Sequence, residues 1–364
     1  ITHYDLLVDP NEPSTIYGAA TLGITKLTAV DGESNTYQFF PLNLGLYTSV
    51  NEVAMDPTSP YALYAATSDG VIKSTDAGAT WTTMISGLPA DNVTSLVFDP
   101  LAPGTLYVGT GQSGVYKSTN GGGSWTAVNS GLLSLGISAL EIPAHSPSVL
   151  YAGTTYGVYK TGNGGASWSV ANGSMGSIPV QEVVSDPADA NPLYAADAET
   201  RVYKTTNAGG TWTAVNTGLS MDEVLSLSGS AATGRVYLGT TAGVYRTMDA
   251  GATWQLKNTG MMSVSVYSVA IDPSDHDTVY AGTNSGVFKS SDRGESWTAV
   301  NEGLDDMMVS KVVIDPFDSA TLYAGTYAGG VYVSTDGGAN WAAANSGLTD
   351  AVIMDLAIDH QTQG

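Results

Sequence analysis

The chain has 364 residues, a formal charge of −22 from 34 acids against 12 bases, and no cysteine. Such a charge repels phosphate backbones and anionic headgroups, which excludes nucleic acid and membrane surfaces and leaves proteins, neutral polymers or cations as partners. Without cysteine there is no disulfide, thiolate metal site or cysteine nucleophile.

Glycine at 43 residues, tyrosine at 20 and a charged fraction of 13% fit tight turns and aromatic-rich strands better than surface helices. No apolar run reaches the roughly 18 residues of a membrane span, so membrane insertion is not expected. The chain opens on Ile1 rather than methionine; with its acidic, lysine-poor composition this reads as an exported protein, secreted, extracellular or on the cell surface, with the periplasm as alternative.

In chain order, the first unit is degenerate, with YDLLVDP at 4–10, TIYGAAT at 15–21 and GITKLT at 23–28 as strands. From residue 50 a single pattern repeats. In a clear copy, VTSLVFDP (93–100), TLYVGT (105–110), GVYKST (114–119) and SWTAVN (124–129) read as four strands joined by turns. The first run is almost wholly apolar after Ser95, as in a strand buried on both faces, and the later ones alternate.

Between the third and fourth strands of each copy lies an octet, first seen as STDAGATW at 74–81. Its closing residue recurs as Trp81, Trp125, Trp168, Trp212, Trp254, Trp297 and Trp341, 42 to 44 residues apart, and these are all the tryptophans in the chain. A period in this range with four short strands per unit predicts the blade of an all-β propeller with antiparallel four-stranded sheets.

The units run 4–46, 50–88, 93–132, 137–175, 181–219, 224–260, 266–304 and 310–348, with a further inner-strand match at 352–359. The reading is one propeller domain over 1–364 with eight blades; the alternative is a seven-bladed ring of the tryptophan-bearing units with residues 1–48 outside it. Nine inner strands for eight blades leave one terminal strand over, able to dock on a second copy and give a homo-oligomer or filament.

The third octet position is Asp76, Asn120, Asn163, Asn207, Asp249, Asp292 or Asp336. Both side chains accept hydrogen bonds from nearby backbone N–H groups, so their interchange argues for turn geometry over charge. The fifth position is always glycine, as a backbone angle closed to Cβ-bearing residues requires. The tryptophan is expected to fold into its own blade and anchor it.

This octet resembles the Asp-box, or BNR, repeat of sialidases, xyloglucan-active glycoside hydrolases, sortilin-type receptors and the photosystem II stability factor. The resemblance implies a propeller and leaves function open, because the box is a structural turn in all of those families.

Function is therefore sought where the copies disagree. A polar column on the inner strands holds Asp5, Glu52, Ser95, Ala139, Glu182, Ser226, Ser268, Lys311 and Asp355. Asp5, Glu52, Glu182, Lys311 and Asp355 are candidate hub-binding residues, able to hold a cation such as calcium or simply to line a hydrated hub. The connections from each outer strand to the next inner one vary and carry Met175, Met221, Asp222, Glu223, Met261, Met262, Asp305, Asp306, Met307 and Met308. They form either an adaptable binding surface or a plug. Tyr156 and Tyr327 lie in second-to-third strand loops, placed to stack on a ligand, whereas tyrosines such as Tyr64, Tyr107 and Tyr280 recur in every unit and are read as packing.

Four arginines, scattered among repeat positions, do not make the arginine triad that a sialidase resemblance would require. The xyloglucan-active enzymes place two catalytic acids between two propellers, and this chain reads as one. The four histidines are scattered and make no zinc site. The reading is a non-catalytic binding or structural scaffold for a protein or polysaccharide, without cofactor. The alternative is a glycoside hydrolase or glycan-binding protein using Glu52 and Glu182.

Overall fold

A computed structural model describes residues 50–345 except 57–58, 77–78, 103, 144–145, 147, 186–192, 198–200, 221, 223, 231–234, 250, 262–263 and 316–317, together with Ile353 and the strands within 6–42. Eight four-stranded antiparallel sheets follow one another along the chain, each with its strands in sequence order. Sheet 1 comprises Leu6–Val8, Thr15–Ala20, Gly23–Ala29 and Tyr37–Leu42. Sheets 2 to 8 open at Val50, Val93, Ile137, Val180, Val224, Val266 and Val309. These seven carry the tryptophan octet and are the seven blades of the alternative reading; residues 6–42 supply one more sheet of the same order. The strands group in two compact units, residues 51–217 with sheets 2 to 5, and residues 1–50 with 218–364 holding sheets 1 and 6 to 8.

One expectation about burial is corrected. The first strand, Val93–Phe98 in sheet 3, is only partly buried, whereas the second, Leu106–Thr110, is buried throughout, as are Leu150–Thr154, Val279–Thr283 and Leu322–Thr326. The second strand is flanked by a strand on each side and covered on both faces, while the first has one free edge within its sheet. In sheets 3 to 8 the first strand is bulged one residue in, for example at Ser138 between Ile137 and Ala139.

The octet forms the expected turn. In sheet 6, Asp249 Oδ1 accepts from Thr253 N (2.8 Å) and Thr247 Oγ1 (2.7 Å), and Oδ2 accepts from Thr253 Oγ1 (2.7 Å). These bonds, Thr247 and Thr253 foremost, lower the Asp249 pKa to about 2. In sheet 3, Asn120 Oδ1 takes Ser124 N (2.9 Å) and Ser118 Oγ (2.9 Å) in the same way. Its Nδ2 donates to Ser124 Oγ where the aspartate would accept (3.0 Å), and a rotatable hydroxyl serves either partner.

The indole does more than anchor its own sheet, which corrects the narrower expectation. Trp125 Nε1 donates to Met84 O at 2.8 Å, Trp168 to Val128 O at 2.6 Å, Trp212 to Ala171 O at 2.5 Å, Trp297 to Lys257 O at 2.8 Å and Trp341 to Val300 O at 2.7 Å. Each acceptor belongs to the preceding sheet's outer edge. Backbone bonds double the seam, from Trp125 N to Ser86 O, Trp168 N to Ser130 O, Trp297 N to Thr259 O and Trp341 N to Glu302 O, all at 2.8 Å. The tryptophan is thus a pin between consecutive sheets, buried at 5% exposure or less in Trp125, Trp168, Trp212, Trp254, Trp297 and Trp341.

The recurrent tyrosine and lysine meet at the same seams. Lys Nζ sits over the ring of Tyr64, Tyr107, Tyr151, Tyr194 and Tyr280 at 4.6 to 5.6 Å. Lys73 also donates to Gly121 O and Lys289 to Gly337 O, inside the next octet. A third recurrent residue, the asparagine after the outer strand, escaped the sequence reading. Asn129 Oδ1 accepts from Val115 N at 2.7 Å while its Nδ2 donates to Ser113 O at 2.9 Å, and Asn172 and Asn301 repeat this on their own hairpins.

Ile353 repeats the step from one sheet to the next. Its N–H donates to Thr326 O at 2.7 Å, its carbonyl accepts from Ser310 Oγ at 2.5 Å, and it is 1% exposed. The rest of the expected strand at 352–359 lies outside the described residues, as does the inner-strand residue Asp5.

Candidate functional site

The polar column connects sheets. Glu52 Oε2 accepts from Leu96 N at 2.8 Å, Ser95 Oγ from Leu140 N at 3.3 Å and Ser268 Oγ from Val312 N at 2.8 Å, each bond reaching the next inner strand. One residue earlier, the bulged side chains donate to the opening carbonyl of that strand: Asn51 to Val93 O (2.6 Å), Thr94 to Ile137 O (2.8 Å) and Ser138 to Val180 O (2.5 Å). Glu182 is exposed and Lys311 half-buried, while Asp355 lies outside the described residues. Among the described residues, no group of three or more His, Asp or Glu side chains is placed to hold a metal ion.

An acid the column alignment missed is Glu141, two residues beyond Ala139. Its Oε1 accepts from Ser185 N at 3.1 Å and from Ser185 Oγ. Burial pushes its pKa up, and the Ser185 bonds pull the other way without cancelling it. The folded state therefore holds this proton more tightly than the unfolded one, and the stability this group contributes, full below the ordinary carboxylate pKa of 4.5, is lost as pH rises through the folded value. Glu141→Gln is expected to gain on the parent as pH is raised from about 4.5 to neutral, read as the difference in urea midpoints. Parallel pH curves for the two would refute it.

The connections between sheets share one end with the second-to-third strand hairpins. The segment 304–308 threads between two of them: Gly286 N donates to Met307 O (2.6 Å) and Tyr327 N to Met308 O (2.9 Å). Asp306 Oδ2 takes Ala328 N (2.6 Å) and Gly329 N (2.9 Å), and Oδ1 takes Met308 N (3.0 Å), so this carboxylate holds the hairpin. Asp305 beside it is exposed. Segment 131–136 threads likewise, with Gly114 N on Leu135 O (2.8 Å) and Thr155 N on Gly136 O (3.4 Å). Asp222 accepts from Ser220 Oγ and, at 3.2 Å, from Tyr245 OH. Met221, Glu223 and Met262 lie outside the described residues.

The structure sorts the methionines by their distance from the next inner strand. Met175 and Met261, each 7% exposed, stand five residues before Val180 and Val266, where Leu132 and Leu304 stand before Ile137 and Val309; all four are buried between sheets. Met307 and Met308, one and two residues before Val309, are exposed. So are Leu133, at 83%, Leu135 and Tyr156 in the other unit. These five make up half of the ten large apolar side chains exposed among the described residues.

Beside Met308, Tyr327 meets Tyr267, with ring centroids 5.8 Å apart and the planes inclined at 58°. Tyr267 is the bulged residue of sheet 7, the place of Asn51, Thr94, Ser138 and Ser310 elsewhere. That departure is visible in the repeat, yet the sequence reading passed over it.

Three of the four arginines meet at the seam of sheets 6 and 7 and are ion-paired. Arg235 and Arg293 bind Asp277, at 2.8 and 2.7 Å, and Arg246 and Lys257 share Glu295, both at 2.7 Å. The hydrogen bonds from Arg293 and Arg235 bring Asp277 to about 2. These guanidiniums are held by carboxylates of the fold.

Comparison with known proteins fits this architecture. The family of the photosynthesis system II assembly factor YCF48 matches residues 221–361, and no curated protein matches the chain. A GH74 enzyme of Niastella koreensis superposes with a TM-score of 0.55 at 20% identity, over 98% of this chain and 67% of that one. A GH74 xyloglucanase of Xanthomonas campestris does so with 0.60 at 16%, over 93% of this chain and 66% of that one. The chain is a propeller of BNR-type repeats. It spans about two thirds of the length of those two enzymes. YCF48 bound to D1 peptide is also similar to this propeller, with a TM-score of 0.56 at 14% identity over 76% of this chain and 90% of that one. No helix of the propeller is long and apolar enough, among the described residues, to cross a membrane.

Proposed function

We propose that this propeller is a non-catalytic, exported scaffold whose loop end binds an extended, positively charged segment of a protein partner. The observation that carries this is the exposure of Met307 and Met308, with Leu133, Leu135 and Tyr156, on connections whose polar groups are occupied within the fold. Unbranched, polarizable methionines adapt to varied apolar side chains. A charge of −22 favours a basic partner and speeds its approach.

The rival reading, a glycoside hydrolase acting through Glu52 and Glu182 or a glycan binder, gains little from the geometry, since the Glu52 carboxylate is occupied by the Leu96 N–H. Self-assembly through the strand at 352–359 is a separate proposal, tested by the mass of the chain in solution with and without that segment.

Selection of a random peptide library on the intact chain is expected to enrich basic peptides that also carry apolar residues. Met307→Ser/Met308→Ser should weaken the best of them roughly tenfold or more, because anchors at the centre of an interface dominate its energy. Equal affinity for the double variant would overturn the proposal, as would reducing-sugar release from xyloglucan that Glu52→Gln abolishes.

A further inference from the structure

We infer that the Tyr267–Tyr327 pair is the specificity subsite of this loop end and takes a lysine or arginine side chain of the bound segment; the inference rests on the protein-binding reading above. Tyr267 puts a ring where other sheets put a hydroxyl or amide that ties two inner strands, so the substitution gives up a seam bond for an aromatic surface. The ring leans from the inner strand of sheet 7 to the hairpin of sheet 8, and Met308 is held beside it through the Tyr327 N–H. Both tyrosines are half-buried.

Two rings inclined at 58° form a wedge rather than the flat platform on which a pyranose stacks. A wedge of two π-faces suits a cation on a slender alkyl stem, because each ring quadrupole attracts the charge and the stem packs against Met308. The fold supplies its own standard for this contact, since five recurrent tyrosines carry a lysine ammonium within 5.6 Å. Among the described residues, no lysine or arginine covers Tyr267 or Tyr327. The exposed carboxylate of Asp305, three residues before Met308, adds charge of the right sign.

The test uses the peptide captured most tightly from the random library by the intact chain, and a copy in which its Lys or Arg is replaced by Gln. On the parent the Gln copy should bind about fivefold more weakly, the size of a partly desolvated cation–π contact. Tyr267→Leu and Tyr327→Leu leave the net charge unchanged and should erase that preference while still binding the peptide. Tyr267→Phe keeps the ring and should retain it. Urea midpoints of the variants report folding. Equal affinity for the two peptides on the parent, or a preference that survives both leucine variants, overturns the subsite and leaves the surface reading standing. Failure of the parent to capture any peptide overturns both.

Discussion

Trp168→Ala is expected to cost about 4 kcal/mol, read as a shift of the urea midpoint, because truncating a buried indole removes transfer energy and opens a cavity together. Trp168 is 5% exposed and packs with Tyr107, Val115, Leu132, Ile137 and Leu150, residues of two consecutive sheets. Its loss also leaves Val128 O without the indole N–H now 2.6 Å away, and an orphaned acceptor adds about 1 kcal/mol or more to the cost. Trp168→Phe, which keeps an aromatic ring and loses the N–H, should cost roughly half as much. A loss below about 1 kcal/mol for the alanine variant would mean that the indole is not the pin between sheets 3 and 4.

Gly131→Ala is the second large effect, and Gly104→Ala is its control. The two glycines share a backbone conformation, φ +90° and +86°, so both variants bear the left-handed penalty of about 1–2 kcal/mol. They differ in surroundings. A Cβ on Gly131 would lie 2.2 Å from Trp168 O, a backbone atom that cannot swing away, whereas one on Gly104 meets nothing within 4 Å. Gly131→Ala must therefore part the seam that Trp168 N–H closes on Ser130 O, and about 3 kcal/mol or more is expected, against about 1 kcal/mol for Gly104→Ala. Equal losses in urea titrations of the two would show that the approach of Gly131 to Trp168 carries no energy.

The octets were legible because the turn is written in side chains. Ser118, Asn120, Gly122 and Trp125 each have a specific task, and their spacing follows from the turn. The seam was not legible, since the acceptors Met84 O, Val128 O and Lys257 O are backbone carbonyls that any residue could offer. The methionines were only half legible. Met261 and Met307 lie in similar-looking connections, and their fates part because Met261 stands five residues before its strand and Met307 two. Counting back from Val266 and Val309 would have separated plug from surface. Tyr267 was missed for a different reason: the column was aligned on Ser268, one residue further along, and the bulge that turns the preceding side chain toward the next sheet has no side-chain signature.

The central claim is that the repeated residues hold consecutive sheets together and that binding occurs where the repeats diverge. The seven indole N–H signals of the intact chain, followed by NMR during exchange into D2O and then on adding a captured peptide, test both halves at once. The account predicts slow exchange for Trp125, Trp168, Trp212, Trp297 and Trp341, with peptide-induced shifts confined to methyls such as those of Met307 and Met308. Rapid exchange of those five protons, or indole shifts as large as the methionine methyl shifts, would contradict it.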